Sequence, residues 1–254
     1  MDRLSFNAMA AINEDRLIRQ QLSNDLANVN TTGFKRTFEA TLQPHQAVGE
    51  GFDSRLQPRL YTTDRVRLDA GPLMVTGRDL DVYMNHKTVM GVTGSDGTLA
   101  FTRRGDLKVN ANGVLETGTG QIVRSQDGGP ITIPQGFRIN IAANGTIYAT
   151  DPTQPGVPQE QAIAQIMLRD ASTTNLFKRD DGLYRVEGQA VGTDFATGPE
   201  PVSLTPQALE SSSVNPMASM VKLIEQSRSF EHQVRIIKES KSNDESGASM
   251  LKDS

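Results

Sequence analysis

Neither glycine nor proline occurs before Gly33, and the residues up to that point fall into a heptad pattern. Alternating steps of four and three from Leu4 give Leu4, Ala8, Ala11, Asp15, Ile18, Leu22, Asp25 and Val29, six of the eight apolar. With Leu26 alongside, this is the spacing of a helix that packs lengthwise on another helix. A continuous helix over residues 2–29 would run about 42 Å. It is expected to end at Thr31-Thr32-Gly33, where β-branched residues precede a glycine suited to a helix C-terminus.

The other end of the chain repeats the pattern. Asn215-Pro216 supplies a capping side chain followed by proline at the first helical position. From Met220 the same count runs through Leu223, Ser227, Phe230, Val234 and Ile237, five of the six apolar. From Glu239 to Ser249 the chain is polar and contains Gly247, so the helical expectation weakens there.

Between the two ends the period changes. Asp96-Gly97, Asn112-Gly113, Asp127-Gly128, Asn144-Gly145 and Asp181-Gly182 are dipeptides that tolerate the positive φ of tight hairpin turns. They separate short runs such as Leu99–Thr102, Leu107–Val109, Ile131–Ile133, Ile139–Ile141 and Leu183–Val186. The expected fold class is therefore α+β: N- and C-terminal coiled-coil-like helices flanking a central, mainly antiparallel β-domain. The expected division is an N-terminal helix with an exit turn over 1–36, an extended connector over 37–75, the β-domain over 76–204 and a C-terminal helix over 205–254. The connector expectation rests on weak periodicity and on Pro44, Gly49, Gly51 and Pro58.

Composition removes several classes of function. The 254 residues include no cysteine, which excludes disulfide scaffolds, zinc–thiolate and iron–sulfur sites, and cysteine nucleophiles. A net charge of −4 argues against a nucleic-acid or anionic-membrane partner. Aromatic residues make up only 5% of the chain and tryptophan is absent, which disfavours a stacking surface. The first twenty residues carry Asp2, Arg3, Glu14, Asp15, Arg16 and Arg19, so no secretory apolar stretch is present, and no run is long enough to cross a membrane.

A search for chemistry returns no assigned catalytic, cofactor-binding or metal-binding residue. His45, His86 and His232 lack a partner at ligand spacing, and His232 reads as a surface helix residue. The loop from Asp151 to Pro158 has Gly156 where a calcium loop turns, but Pro155 and Ala162 sit where oxygen ligands belong. Gly91-Val-Thr-Gly94 and Gly118-Thr-Gly120 do not continue into a phosphate cradle. Asp79 and Asp81 alternate with apolar residues as on one face of a strand, a weak basis for acid–base work. Arg103-Arg104 beside Gly105 reads as a basic hairpin corner, solvated or used as a subunit contact. The two helical seams leave two arrangements open: a subunit that polymerises through its ends, or a helical hairpin folded back in a monomer.

The residues also carry a resemblance. Leu26-Ala-Asn-Val-Asn-Thr-Thr-Gly-Phe-Lys-Arg36 and Leu209-Glu-Ser-Ser-Ser-Val-Asn-Pro216 resemble the N- and C-terminal signatures of the flagellar rod, hook and hook-associated family of axial proteins. Ser211 and Ser213 stand where that family usually has Gly and Asn. Thr76-Gly-Arg-Asp-Leu-Asp-Val82, Phe101-Thr-Arg-Arg-Gly105 and Asn112-Gly-Val-Leu115 look like the core of the rod members. Gly128-Gly-Pro-Ile-Thr-Ile-Pro134 and Ile141-Ala-Ala-Asn-Gly-Thr-Ile147 are similar to the proximal rod members, and the short interval from Phe34 to Gly71 separates the chain from the distal ones.

The resemblance implies a structural, non-enzymatic subunit without cofactors. It would be exported uncleaved by the flagellar type III apparatus and assembled with copies of itself and other rod proteins into a periplasmic rod that transmits torque. It places the termini in an inner coiled-coil-like layer and the β-domain in an outer one. The interface residues expected on that basis are Leu4, Ala8, Ala11, Ile18, Leu22, Leu26, Val29, Phe34, Met220, Leu223, Phe230, Val234 and Ile237. Phe34 is expected to anchor the exit turn without contributing to the stability of the β-domain. Residues 76–200 are expected to fold alone, with 1–30 and 215–254 ordering only on assembly.

Overall fold

The computed structural model describes residues 2–37, 39–46, 56–63, 65–153 and 159–252. They divide into two compact units, one drawn from residues 1–27, 38–63 and 215–254, the other from 28–37 and 64–214.

The first unit contains α1 (Asp2–Ala27), β1 (Glu39–Gln46), β2 (Leu56–Thr63) and α2 (Pro216–Lys252). The α2 start is the one read from sequence: Asn215 Oδ1 accepts from the Ala218 amide at 3.1 Å, and Pro216 occupies the first helical position. The helix continues through the polar tail and Gly247. By contrast, α1 ends at Ala27, six residues before Gly33. The stop is made by Asn28, whose carbonyl accepts from the Thr31 amide at 3.1 Å while its side chain bonds the Thr31 hydroxyl at 3.2 Å. The two helices pack against each other, and α1 also packs on β2.

Where the sequence suggested an extended connector over 37–75, β1 and β2 pair as antiparallel strands. Its two prolines, Pro44 and Pro58, face each other across the ladder. Each strand of a two-stranded sheet is an edge, so a proline there removes no second ladder of hydrogen bonds.

The second unit is built from short antiparallel strands: β3 (Leu73–Val75), β4 (Val82–Met84), β5 (Thr88–Thr93), β6 (Leu99–Thr102), β7 (Leu107–Val109), β8 (Leu115–Thr117) and β9 (Ile122–Val123). They are followed by β10 (Arg138–Ile141), β11 (Thr146–Thr150), β12 (Glu160–Gln165), β13 (Leu168–Asp170), β14 (Leu176–Lys178), β15 (Tyr184–Val186), β16 (Leu204–Pro206) and β17 (Ala208–Glu210). The principal sheet runs β14-β15-β6-β5-β9-β8-β7, with β13 also paired to β5. Strands β10-β11-β12 form a second sheet, and β16-β4 and β17-β3 form two-stranded ones.

The glycines of all five turn dipeptides have positive φ, from 76° to 88°, which is why those pairs punctuate the sequence. Ile131 and Ile133 are buried without forming a regular strand; Thr132 between them makes only an isolated bridge to Val114. Strands β5 and β6 are buried on both faces. Met90, Val92 and Ala100 join a cluster with Leu107, Leu115 and Ile147, while Val89, Leu99 and Phe101 join another with Leu176 and Phe195. Alternate residues of one strand thus feed opposite faces. Phe101 meets Phe195 edge-on, with ring centroids 4.9 Å apart.

Gly105 lies against β4, with its carbonyl accepting from the Val82 amide at 3.0 Å. A Cβ at this position would lie 1.8 Å from the Val82 carbonyl oxygen, a backbone atom that cannot turn aside. The Gly105→Ala substitution is expected to lower unfolding free energy by about 2–3 kcal/mol, measured by urea denaturation of the full chain.

Candidate functional site

Three charged side chains from distant parts of the sequence meet inside the β unit. Arg103 follows β6, Glu210 ends β17 and Lys35 follows Gly33; all three side chains are completely buried. Arg103 Nε donates to Glu210 Oε2 at 2.7 Å, and Nη2 donates to Glu210 Oε1 at 3.1 Å and to the Met84 carbonyl at 2.6 Å. Its Nη1 donates to the carbonyls of His86 at 2.7 Å and Thr88 at 3.0 Å. Every N–H of the guanidinium therefore has an acceptor. Glu210 Oε1 also accepts from Lys35 Nζ and from the Gly71 amide, each at 2.7 Å. Lys35 makes a further bond to the Asp69 carbonyl.

Two cations thus share one anion. Burial pushes the Lys35 ammonium below the ordinary lysine pKa, Arg103 adds to that effect, and Glu210 opposes it. Beside them Tyr184 is wholly buried, and desolvation raises its phenol well above the usual tyrosine range. Removing Glu210 leaves two buried cations without a counter-charge, which costs about 3–5 kcal/mol.

Backbone bonds surround the cluster. The Gly33 amide donates to the Glu210 carbonyl at 2.7 Å, and the Ser213 amide donates to the Phe34 carbonyl at 3.1 Å. Ser211 donates to Pro72 at 2.9 Å and Arg67 to Arg36 at 3.0 Å. The Arg36 amide in turn donates to Ser213 Oγ at 3.2 Å. Gly33 is required twice over: its φ is +67°, and a Cβ would lie 2.4 Å from the Arg103 carbonyl oxygen. The chain passes between the two units after residues 27, 37, 63 and 214. The β-unit segments bordering these crossings, 28–37, 65–72 and 208–214, are the ones that these bonds join.

This placement corrects the reading of Arg103-Arg104 as a solvated corner. Only Arg104 is partly exposed, paired with Asp106 at 2.6 Å. Every residue from Leu99 to Arg103 is buried, so alternation along the strand carried no signal for Arg103. Asp79 and Asp81 do not share a strand face, because they lie in the turn and bridge before β4. Asp79 accepts from Gln207 Nε2 at 2.8 Å, and buried Asp81 lies 3.2 Å from Arg78. His86 sits at φ +48° in the β4–β5 turn and His232 is exposed. The His45 side chain and residues 154–158 lie outside the described residues. Among the described residues no group of three or more His, Cys, Asp or Glu could hold a metal ion.

The expected helical seam is partly reproduced within the chain. Ala8 and Leu22 are buried, and Ala11, Ile18, Leu26, Leu223, Val234 and Ile237 are half-buried. The Leu4 side chain lies outside the described ones. Val29 is half-buried but belongs to the β unit. Met220 departs from the pattern, with 48% exposure, and Phe230 is 38% exposed with the Arg19 guanidinium 5.3 Å from its ring centroid. The less exposed face of α2 instead runs through Ser219, Leu223, Gln226, Gln233, Ile237 and Ser240. Asp15, an interruption of the heptad in sequence, accepts from Ser229 Oγ at 3.1 Å and Gln233 Nε2 at 2.9 Å.

Phe34 is buried in the β unit, with Lys178 Nζ 4.4 Å from its ring centroid, so it is not neutral for that unit's stability. In urea denaturation of the full chain, Phe34→Ala is expected to cost about 3 kcal/mol and Glu210→Gln about 3–5 kcal/mol. Lys35→Met is expected to cost less than about 1 kcal/mol, because the neutral Arg103–Glu210 pair survives it.

Comparison with known proteins gives this geometry a family. Residues 205–250 match the family described as flagellar basal body rod FlgEFG protein C-terminal, and residues 89–149 match the flagellar hook protein FlgE/F/G D1 domain. The chain is 32% identical over 243 residues to the flagellar basal-body rod protein FlgF of Salmonella typhimurium, covering 93% of each. It is 28% identical to FlgF of Escherichia coli, again over 93% of each chain. To the rod protein FlgG of Buchnera aphidicola subsp. Acyrthosiphon pisum it is 30% identical, over 83% of this chain and 85% of that one. Matched over nearly its whole length at this identity, the chain belongs to the flagellar basal-body rod protein family and is most like FlgF within it.

Proposed function

We propose that the chain is a structural subunit of the proximal part of the flagellar rod. In this reading it polymerises through α1 and α2, with copies of itself and sister rod proteins, into a shaft that carries motor torque across the periplasm to the hook. The terminal helices form a coiled-coil-like inner layer and the β unit an outer one. The subunit travels through the flagellar type III export apparatus without a cleaved signal.

One observation carries the reading. Met217, Met220, Val221 and Ile224 are spaced i, i+3, i+4 and i+7 on α2 and are 71%, 48%, 53% and 54% exposed. They form an apolar stripe distinct from the less exposed face of α2, and a lone subunit leaves it in water. Repeated head-to-tail contacts that do not close into a ring give a helical filament in which such a stripe is covered. The FlgF relatives matched over 93% of their length support the proximal assignment.

Basal bodies purified from a strain lacking this protein are expected, in electron micrographs, to have no rod beyond its base. A rod of full proximal length would assign the chain to the distal segment instead, and complete rods would overturn the reading. Ile224→Asp is expected to leave the subunit's melting temperature unchanged while blocking rod completion.

Ser219, Gln226, Gln233 and Ser240 on the less exposed face of α2 bury little apolar surface, and helices of this kind gain most of their stability from packing. The terminal helices of the free subunit therefore order fully only on assembly, when the neighbouring chain covers the stripe. Limited proteolysis of the monomer is expected to cut upstream of Asn28 and downstream of Val214, leaving a core that retains Gly33 and Glu210. Strong amide protection throughout both helices of a verified monomer would overturn this and favour a preformed hairpin.

A further inference from the structure

We infer that residues 28–37, 67–72 and 208–214 open and close as one cooperative unit, separate from the principal β sheet, with Glu210 as the residue that holds it shut. The inference concerns the isolated subunit and stands whether or not the rod reading holds.

The charges give the first argument. Glu210 is 107 residues from Arg103 and 175 from Lys35. Until β17 docks, neither cation has its counter-charge, and once Glu210 withdraws, two fully buried cations face each other. The Gly71 amide loses its acceptor in the same step, since it donates to Glu210 Oε1. Partial opening therefore leaves several buried groups unpaired at once, and the intermediate arrangements are the costly ones.

The backbone gives the second argument. The bonds of these segments run from one to another: Gly33 to Glu210, Ser213 to Phe34, Ser211 to Pro72 and Arg67 to Arg36. None of the three segments contains a helix, and only the third contains a strand, β17, paired with β3. Releasing one segment removes the acceptors or donors of the others. The principal sheet is held by its own ladder and two apolar clusters, and it takes in the neighbouring Val66, whose amide donates to Leu176 and whose side chain joins the second cluster with Leu68; Gly91 donates to Met167 and Arg124 donates to Gly91 within the sheet. Two sets of contacts with few shared members open with different free energies.

The test is native-state hydrogen exchange of the full chain across sub-denaturing urea, resolved at single amides. The amides of Gly33, Arg67, Gly71, Ser211 and Ser213 are expected to share one opening isotherm with one urea slope, lying below that of the Gly91 and Arg124 amides. Separate isotherms within the first set, or their merger with the sheet, would overturn the proposal, and this needs only the wild-type protein. In Glu210→Gln the amides of the first set are expected to accelerate together, by about a hundredfold or more. Unequal acceleration within the set, or no acceleration of Gly33, would overturn the proposal. Lys35→Met is expected to accelerate the set by less than about tenfold and uniformly; loss of protection confined to 28–37 would show that the segments open independently.

Discussion

The β unit depends on a carboxylate that stands between two cations. Glu210 accepts from Arg103, Lys35 and the Gly71 amide, and every one of these groups is out of water. A buried ion cluster is poor evidence for stability as such, since an apolar replacement of similar volume is often as stable. Its effect here is specificity of position. Arg103 also spends its remaining donors on the carbonyls of Met84, His86 and Thr88, so the β4–β5 turn, the end of β6 and the end of β17 can meet in only one arrangement. The unusual backbone of His86, at φ +48°, sits in that turn with its carbonyl held by the guanidinium.

That arrangement has a consequence for chain paths. The segments bordering every passage between the two units are bonded to one another within the β unit. The residues that carry the family resemblance fall in the same place, for Lys35, Arg103 and Glu210 each lie inside one of the motifs quoted from the sequence.

The helices follow a different logic. The polar interruptions of the heptad are used: Asp15 is bonded by Ser229 and Gln233, and Asp25 is fully buried with Gln21 donating to it at 3.1 Å. A polar residue on a helical seam fixes register at a cost in stability. The most apolar stripe of α2 faces solvent, so pairing within one chain does not satisfy the burial that its composition calls for.

The sequence by itself determined the two helices, the α2 cap and the turns of the β unit, because each rests on local chemistry. Asn215-Pro216 caps and starts a helix wherever it stands, and Asp-Gly or Asn-Gly supplies positive φ without help from neighbours. Tertiary structure alone decided the rest. It paired residues 39–46 with 56–63 as strands despite their prolines, moved the exit turn from the helix to the β unit, and shifted the buried face of α2 away from Met220. Above all it brought Lys35 and Arg103 to Glu210. Nothing local marks those three residues as partners, because the free energy of burying a charge is set by which opposite charge the fold delivers to it, and the residues concerned lie more than a hundred positions away.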